Sequence, residues 1–111
     1  MTVTYLMLAW LAEGGAGAFD VYEGAVLPLL AEYGGRLERR VRTMDDRLEV
    51  HLVSFPTEDA LDAYRADPRR SAAAPLLESS GAEVQLLPVR DIGDSDSDGD
   101  GDSDGTPLPP V

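Results

Sequence analysis

The sequence predicts an α+β domain with the element order βαββαβ. This is the ferredoxin-like arrangement, a four-stranded antiparallel sheet with its helices on one face. Three observations carry that prediction. The chain opens on a strand that is apolar on both faces, two amphipathic segments flank a central pair of strand-like segments, and a last strand-like segment ends near a proline. At 111 residues the chain is long enough for one such domain and too short for two.

The first strand spans 2–12, TVTYLMLAWLA. Thr4, Leu6, Leu8 and Trp10 point one way, and Tyr5, Met7, Ala9 and Leu11 point the other. A strand of this kind is covered on both sides. Helices cover one side. A small sheet left bare on the other would expose a large apolar patch, so the sequence predicts a homodimer through the open sheet face. EGGAG at 13–17 predicts a turn. Phe19, Tyr22, Val26, Leu29, Leu30 and Tyr33 recur at helical spacing and predict one amphipathic helix over 18–33. Pro28 should kink it, and Gly34 suits a left-handed cap at its end.

Residues 36–43 alternate, which predicts a half-polar strand. Leu37, Arg39 and Val41 would share one face and Arg36, Glu38, Arg40 and Arg42 the other, with Arg39 half-buried against Glu49 or another acid across the hairpin. LEVHLVSF at 48–55 is the second strand of that hairpin. Thr57, followed by Glu58 and Asp59, predicts a helix N-cap. Ala60, Leu61 and Tyr64 form that helix's apolar stripe and Pro68 ends it. Residues 69–80 read as a short or broken helical segment, with Arg69, Arg70 and Ser71 on a surface loop or at the mouth of a pocket. AEVQLLPV at 82–89 is the fourth strand, and Pro88 near its end suits an edge or a terminus rather than a sheet centre.

Charge and composition exclude several functions. The net charge is −12, which argues against nucleic-acid partners and anionic membrane surfaces. No apolar run approaches the length of a membrane span, and the N-terminus reads as a strand rather than a signal peptide. With no cysteine there is no disulfide, no thiolate nucleophile and no thiolate zinc site, and a cytoplasmic setting is expected. No cofactor and no metal are expected.

His51 is the only histidine. It shares a strand face with Val53 and Phe55, so if Phe55 packs under the helices, His51 lines the same pocket and can act as acid or base near neutral pH. The bland reading is a strand histidine bonded to a neighbour. Trp10, Tyr22, Phe55 and Tyr64 are candidate walls for a small-molecule ligand, although helical spacing alone explains Tyr22 and Tyr64 as core. Arg40, in the row with Arg36, Glu38 and Arg42, can bind an anionic group or sit in an ion-paired face. No nucleophile elbow, P-loop or dinucleotide fingerprint is present.

Two stretches, AVLPLLAEYGGRL at 25–37 and EVHLVSFPTEDALDAYRADPRR at 49–70, resemble the dimeric α/β-barrel superfamily, in particular a small branch of stand-alone barrel domains. With the strands, the resemblance covers roughly residues 3–90. It implies a dimer and a pocket between the sheet and the helices. It also implies a choice of functions: a small hydrophobic or anionic molecule bound there, a cofactor-independent monooxygenase, isomerase or lyase using His51, or a non-catalytic dimerisation module.

The domain is expected to occupy 1–91, followed by a disordered acidic tail over 92–111. Within the tail, Asp94, Asp96, Asp98 and Gly99 match the first half of a calcium loop. Gly105 stands where the closing bidentate Glu belongs, and no helix flanks the loop. Repetition of Asp, Ser and Gly explains the match, and such a segment buries nothing.

Overall fold

The computed structural model describes residues 2–92. Its elements are β1 (Val3–Trp10), α1 (Ala16–Val26), a 3₁₀ helix (Leu27–Tyr33), β2 (Arg36–Arg42), β3 (Leu48–Phe55), α2 (Glu58–Arg65), α3 (Pro68–Ser80) and β4 (Glu83–Val89). The sheet order is β2-β3-β1-β4, antiparallel throughout, which is the ferredoxin-like fold. β4 is an edge strand, where the missing N–H of Pro88 does least harm. The expected tail falls outside the described residues from 93 onward.

Pro28 does more than kink a helix. The α-helix ends at Val26, and the chain runs on as a 3₁₀ helix with Pro28 in its first turn. Proline has no N–H to donate four residues back, so the tighter geometry takes over where the α-ladder would break. Gly34 ends this segment at φ 74°. The segment after Pro68 is likewise more regular than expected. It forms a 13-residue α-helix with Pro68 in the first turn and Asp67 as its N-cap, accepting from the Arg69 N–H at 2.7 Å. Pro75 interrupts its ladder at an exposed position, where water can reach the carbonyl left unpaired.

The alternation in β2 differs from the expectation. Leu37 pairs with Val53, but Arg39 pairs with Leu52, so a bulge at Glu38 intervenes. One extra residue turns the following side chains over. Leu37 faces the helices, Arg39 and Val41 face the open side, and Arg40 and Arg42 stand opposite His51 and Glu49 on the helix side. Arg39 is therefore exposed and does not meet Glu49.

Under the helices the core forms two clusters. One gathers Ala9, Leu11, Phe19, Tyr22, Val26 and Ala73; the other gathers Leu29, Leu30, Val53, Phe55, Leu61 and Tyr64. The open face carries Leu6, Leu8 and Trp10 from β1 beside Leu48, Val50 and Leu52 from β3. Trp10 is 45% exposed there and Val41 46%.

Candidate functional site

Between the two core clusters lies a cavity of about 300 Å³. Most of its wall is apolar, including Met7, Phe19, Val26, Leu30, Phe55, Leu61 and Leu86; Tyr22, Tyr64, Glu23, His51 and Arg70 add polar groups. The sequence candidates divide accordingly. His51, Tyr22, Phe55 and Tyr64 meet at this cavity. Arg40 flanks it, touching two of the buried acids. Trp10 does not reach it, because strand alternation puts its ring on the opposite face of the sheet.

Glu49 and His51 are two residues apart on β3 and therefore on one face. Both are almost wholly buried, and so is Glu23 from α1, one turn on from Phe19. His51 Nε2 lies 2.5 Å from Glu49 Oε2 and 3.0 Å from Glu23 Oε1. Three buried titratable groups thus meet in one place. They persist because β2 supplies cations: Arg40 Nε donates to Glu49 Oε2 at 2.9 Å and Arg42 Nε donates to Glu49 Oε1 at 2.7 Å. Arg42 also reaches Asp20 on α1, which ties β2 to the helix above the cluster. Without the bulge at Glu38, both guanidiniums would fall on the other face.

These surroundings separate the two carboxyls. Burial alone would raise Glu49, but the adjoining Glu23 and the hydrogen bonds with His51, Arg40 and Arg42 outweigh it and hold its pKa down at about 2. Glu23 goes the other way. Burial raises it, the close approach of His51 opposes that, and the neighbouring Glu49 carboxylate adds to the rise. His51 is lowered by burial, yet its close contact with Glu23, its hydrogen bond to Glu49 and the charge of both carboxyls prevail, so its pKa is raised. Glu49 is therefore a fixed anion, while Glu23 and His51 hold the protons that can move.

Glu23, Glu49 and His51 each offer one ligand atom, all within 4.8 Å of one another, which is the composition of a cation site. Both Glu49 oxygens, however, already accept from guanidinium groups that face them at fixed positions. A cation would have to compete with two resident positive charges. The arrangement suits proton exchange better than metal binding.

Tyr64 donates to the Val26 carbonyl at 3.3 Å, and burial raises its phenol, so it stays neutral. Arg70 reaches the cavity from the first turn of α3. Its Nη2 donates to the Tyr22 hydroxyl at 3.1 Å, and its guanidinium stacks 4.7 Å from the Tyr64 ring centre. Sequence reasoning missed Glu23 and did not connect Glu49 to His51. The i, i+2 spacing of Glu49 and His51 in a strand was the available signal. For Glu23 it was a position on the apolar stripe of Phe19, Tyr22 and Val26.

No family model matches the chain, and no curated protein matches it. Solved structures do. Rv0793 from Mycobacterium tuberculosis superposes with a TM-score of 0.67 at 17% identity, over 86% of this chain and 100% of that one. SnoaB, a cofactor-independent oxygenase from Streptomyces nogalater, gives 0.64 at 21% identity, over 82% and 95%. A dimeric ferredoxin-like protein of unknown function from Jannaschia sp. CCS1 gives 0.57 at 24% identity, over 78% and 99%. The chain thus resembles the ferredoxin-like dimeric α/β-barrel proteins. At these identities the likeness establishes the fold and not the chemistry. No helix among the described residues is long and apolar enough to cross a membrane.

Proposed function

We propose that the protein is a homodimer that binds a small, mostly apolar molecule between sheet and helices and exchanges a proton with it. One observation carries this reading: the single histidine meets two buried carboxyls at the wall of an apolar cavity. Fixed as an anion, Glu49 orients His51. Glu23 or His51 takes a proton from a ligand C–H or O–H and returns it to another atom, with no change in electron count. Isomerisation needs no more from the protein than this step; in a lyase reaction the electron pair left on the ligand expels a leaving group and the proton is returned to that group. Glu23 also borders an outer groove lined by Asp20, Pro28 and Arg40, through which protons can equilibrate with water. The homodimer is supported by the apolar open face and by the dimeric relative. The cytoplasm is the proposed setting, with no nucleic-acid or membrane partner.

A thermal-shift screen of small aromatic and aliphatic compounds tests binding, since a ligand of the native state raises Tm. A binder is expected to exchange a carbon-bound proton with D₂O in the wild type and far more slowly in His51→Ala and Glu23→Gln. Unchanged exchange in His51→Ala removes His51 from the mechanism. An empty screen overturns the pocket reading. The likeness to SnoaB favours a second reading, oxygenation without a cofactor, in which the deprotonated ligand reacts with dioxygen. Oxygen uptake by the same binder separates the two.

A further inference from the structure

We propose that the cavity selects an aromatic acid and that Arg70 anchors its anionic oxygen. This rests on the cavity being a small-molecule site and names the ligand's class.

Among the described residues, two buried side-chain polar atoms lack a hydrogen-bond partner: Glu23 Oε1 and Arg70 Nε. Both residues line the same cavity. Such atoms are rare in folded proteins, and each one calls for a missing partner. Glu23 has charged neighbours at hand, His51 at 3.0 Å and Arg40 at 3.2 Å, although neither contact has hydrogen-bond geometry. Arg70 has less. Its neighbour Arg69 pairs with both Glu32 and Asp67, whereas no carboxylate among the described residues pairs with Arg70. Its contacts are a neutral phenol, an aromatic face and a marginal 3.5 Å approach to the Arg65 carbonyl. A guanidinium with an idle N–H beside an apolar cavity is complementary to an anion.

The rest of the wall describes what that anion is attached to. Phe19, Tyr22, Phe55 and Tyr64 offer ring faces and edges, and the stacking on Tyr64 holds the guanidinium in place. At about 300 Å³ the cavity lies at the small end of ligand pockets and suits a one- or two-ring acid. Glu23 and His51 then meet such a ligand as acid and base while Arg70 holds its charge.

The test is calorimetric titration of the full chain with 2-naphthoate and its neutral counterpart 2-naphthamide. The acid is expected to bind at least about tenfold more tightly, the order of one charge-assisted hydrogen bond. Arg70→Gln should bring the ratio of the two affinities close to one, and Arg70→Lys should keep part of it. Because the ratio is taken within each variant, a general loss of stability from the Tyr22 and Tyr64 contacts does not imitate the result. Equal binding of acid and amide by the wild type overturns the anchor and leaves the pocket standing. So does a preference that survives in Arg70→Gln. Failure of both probes to bind overturns the anchor together with the pocket.

Discussion

At the scale of single residues, the buried cluster should govern how stability depends on pH. His51 has a pKa raised above its ordinary 6.5, so its stabilising effect is complete below that value and is lost as pH climbs through the raised one. Glu23 is raised above 4.5 and acts in the same direction, because its neutral form is favoured in the fold. Glu49 is the opposite case. Its pKa falls from 4.5 to about 2, so its contribution is complete above 4.5 and disappears as pH drops towards 2. The melting temperature should therefore peak in mildly acid solution and fall on both sides. Scanning calorimetry should show the alkaline limb flattened in His51→Gln. Glu49→Gln should flatten the acid limb only in part, because Asp67, held low by Arg69 and Tyr33, also titrates there. An alkaline limb unchanged in His51→Gln would count against the cluster. Glu49→Ala also leaves two guanidiniums and an imidazole without their shared acceptor. A loss of about 3 kcal/mol is expected by urea denaturation. His51 and the aromatic walls were readable from strand alternation and helical spacing. For Glu23 the only hint was its place on the apolar stripe of α1, because a helical glutamate ordinarily faces water and only the three-dimensional meeting with His51 explains its burial.

Among the elements, the glycines around α1 make opposite predictions for the same chemical change. Gly15 stands just before the helix, where an added Cβ would land on the backbone carbonyl of Ser80 at the end of α3. That atom cannot yield as a flexible side chain would. Gly15→Ala should cost about 2 kcal/mol, in the range of overpacked sites. Gly17 and Gly24 lie within α1 with nothing within 4 Å of a Cβ and with ordinary backbone angles. Replacing either with alanine should stabilise the protein by about 0.5–1 kcal/mol, chiefly by restricting the unfolded chain. Urea midpoints moving in opposite directions would confirm that α1 is packed tightly at its start and loosely along its outer side. The order of elements was readable because hydrophobic period and cap residues agree with the final fold. The bulge was not. Residues 36–42 carry only a faint trace of it, the three consecutive charges Glu38, Arg39 and Arg40, and the shift at Glu38 is set by pairing with β3, where Arg40 and Arg42 meet His51 and Glu49.

For the whole molecule, the open question is what covers the outer face of the sheet. Leu8 sits at the middle of that face on a central strand, flanked by Val50 on β3 and Gln85 on β4. In a lone subunit a glutamate at position 8 would point into water and cost little. Between two facing sheets it would be an unpaired charge in an apolar contact, which is expensive. Leu8→Glu should therefore weaken a homodimer by a hundredfold or more, roughly 3 kcal/mol, while changing subunit folding far less. Sedimentation over a range of concentrations reads the first effect and circular dichroism the second. Trp10 gives an independent signal, since it is the only tryptophan and lies on the same face, 45% exposed in the single subunit. Its emission should be blue-shifted in the wild-type dimer and move to the red on dilution or in Leu8→Glu. A wild type that sediments as a monomer at every concentration sinks the dimer, and a Leu8→Glu variant that remains a dimer moves the interface elsewhere. The two apolar faces of β1 are thus told apart by experiment: Tyr5, Met7 and Ala9 lie on the cavity side, and Leu6, Leu8 and Trp10 lie on the open face that the proposed dimer would cover.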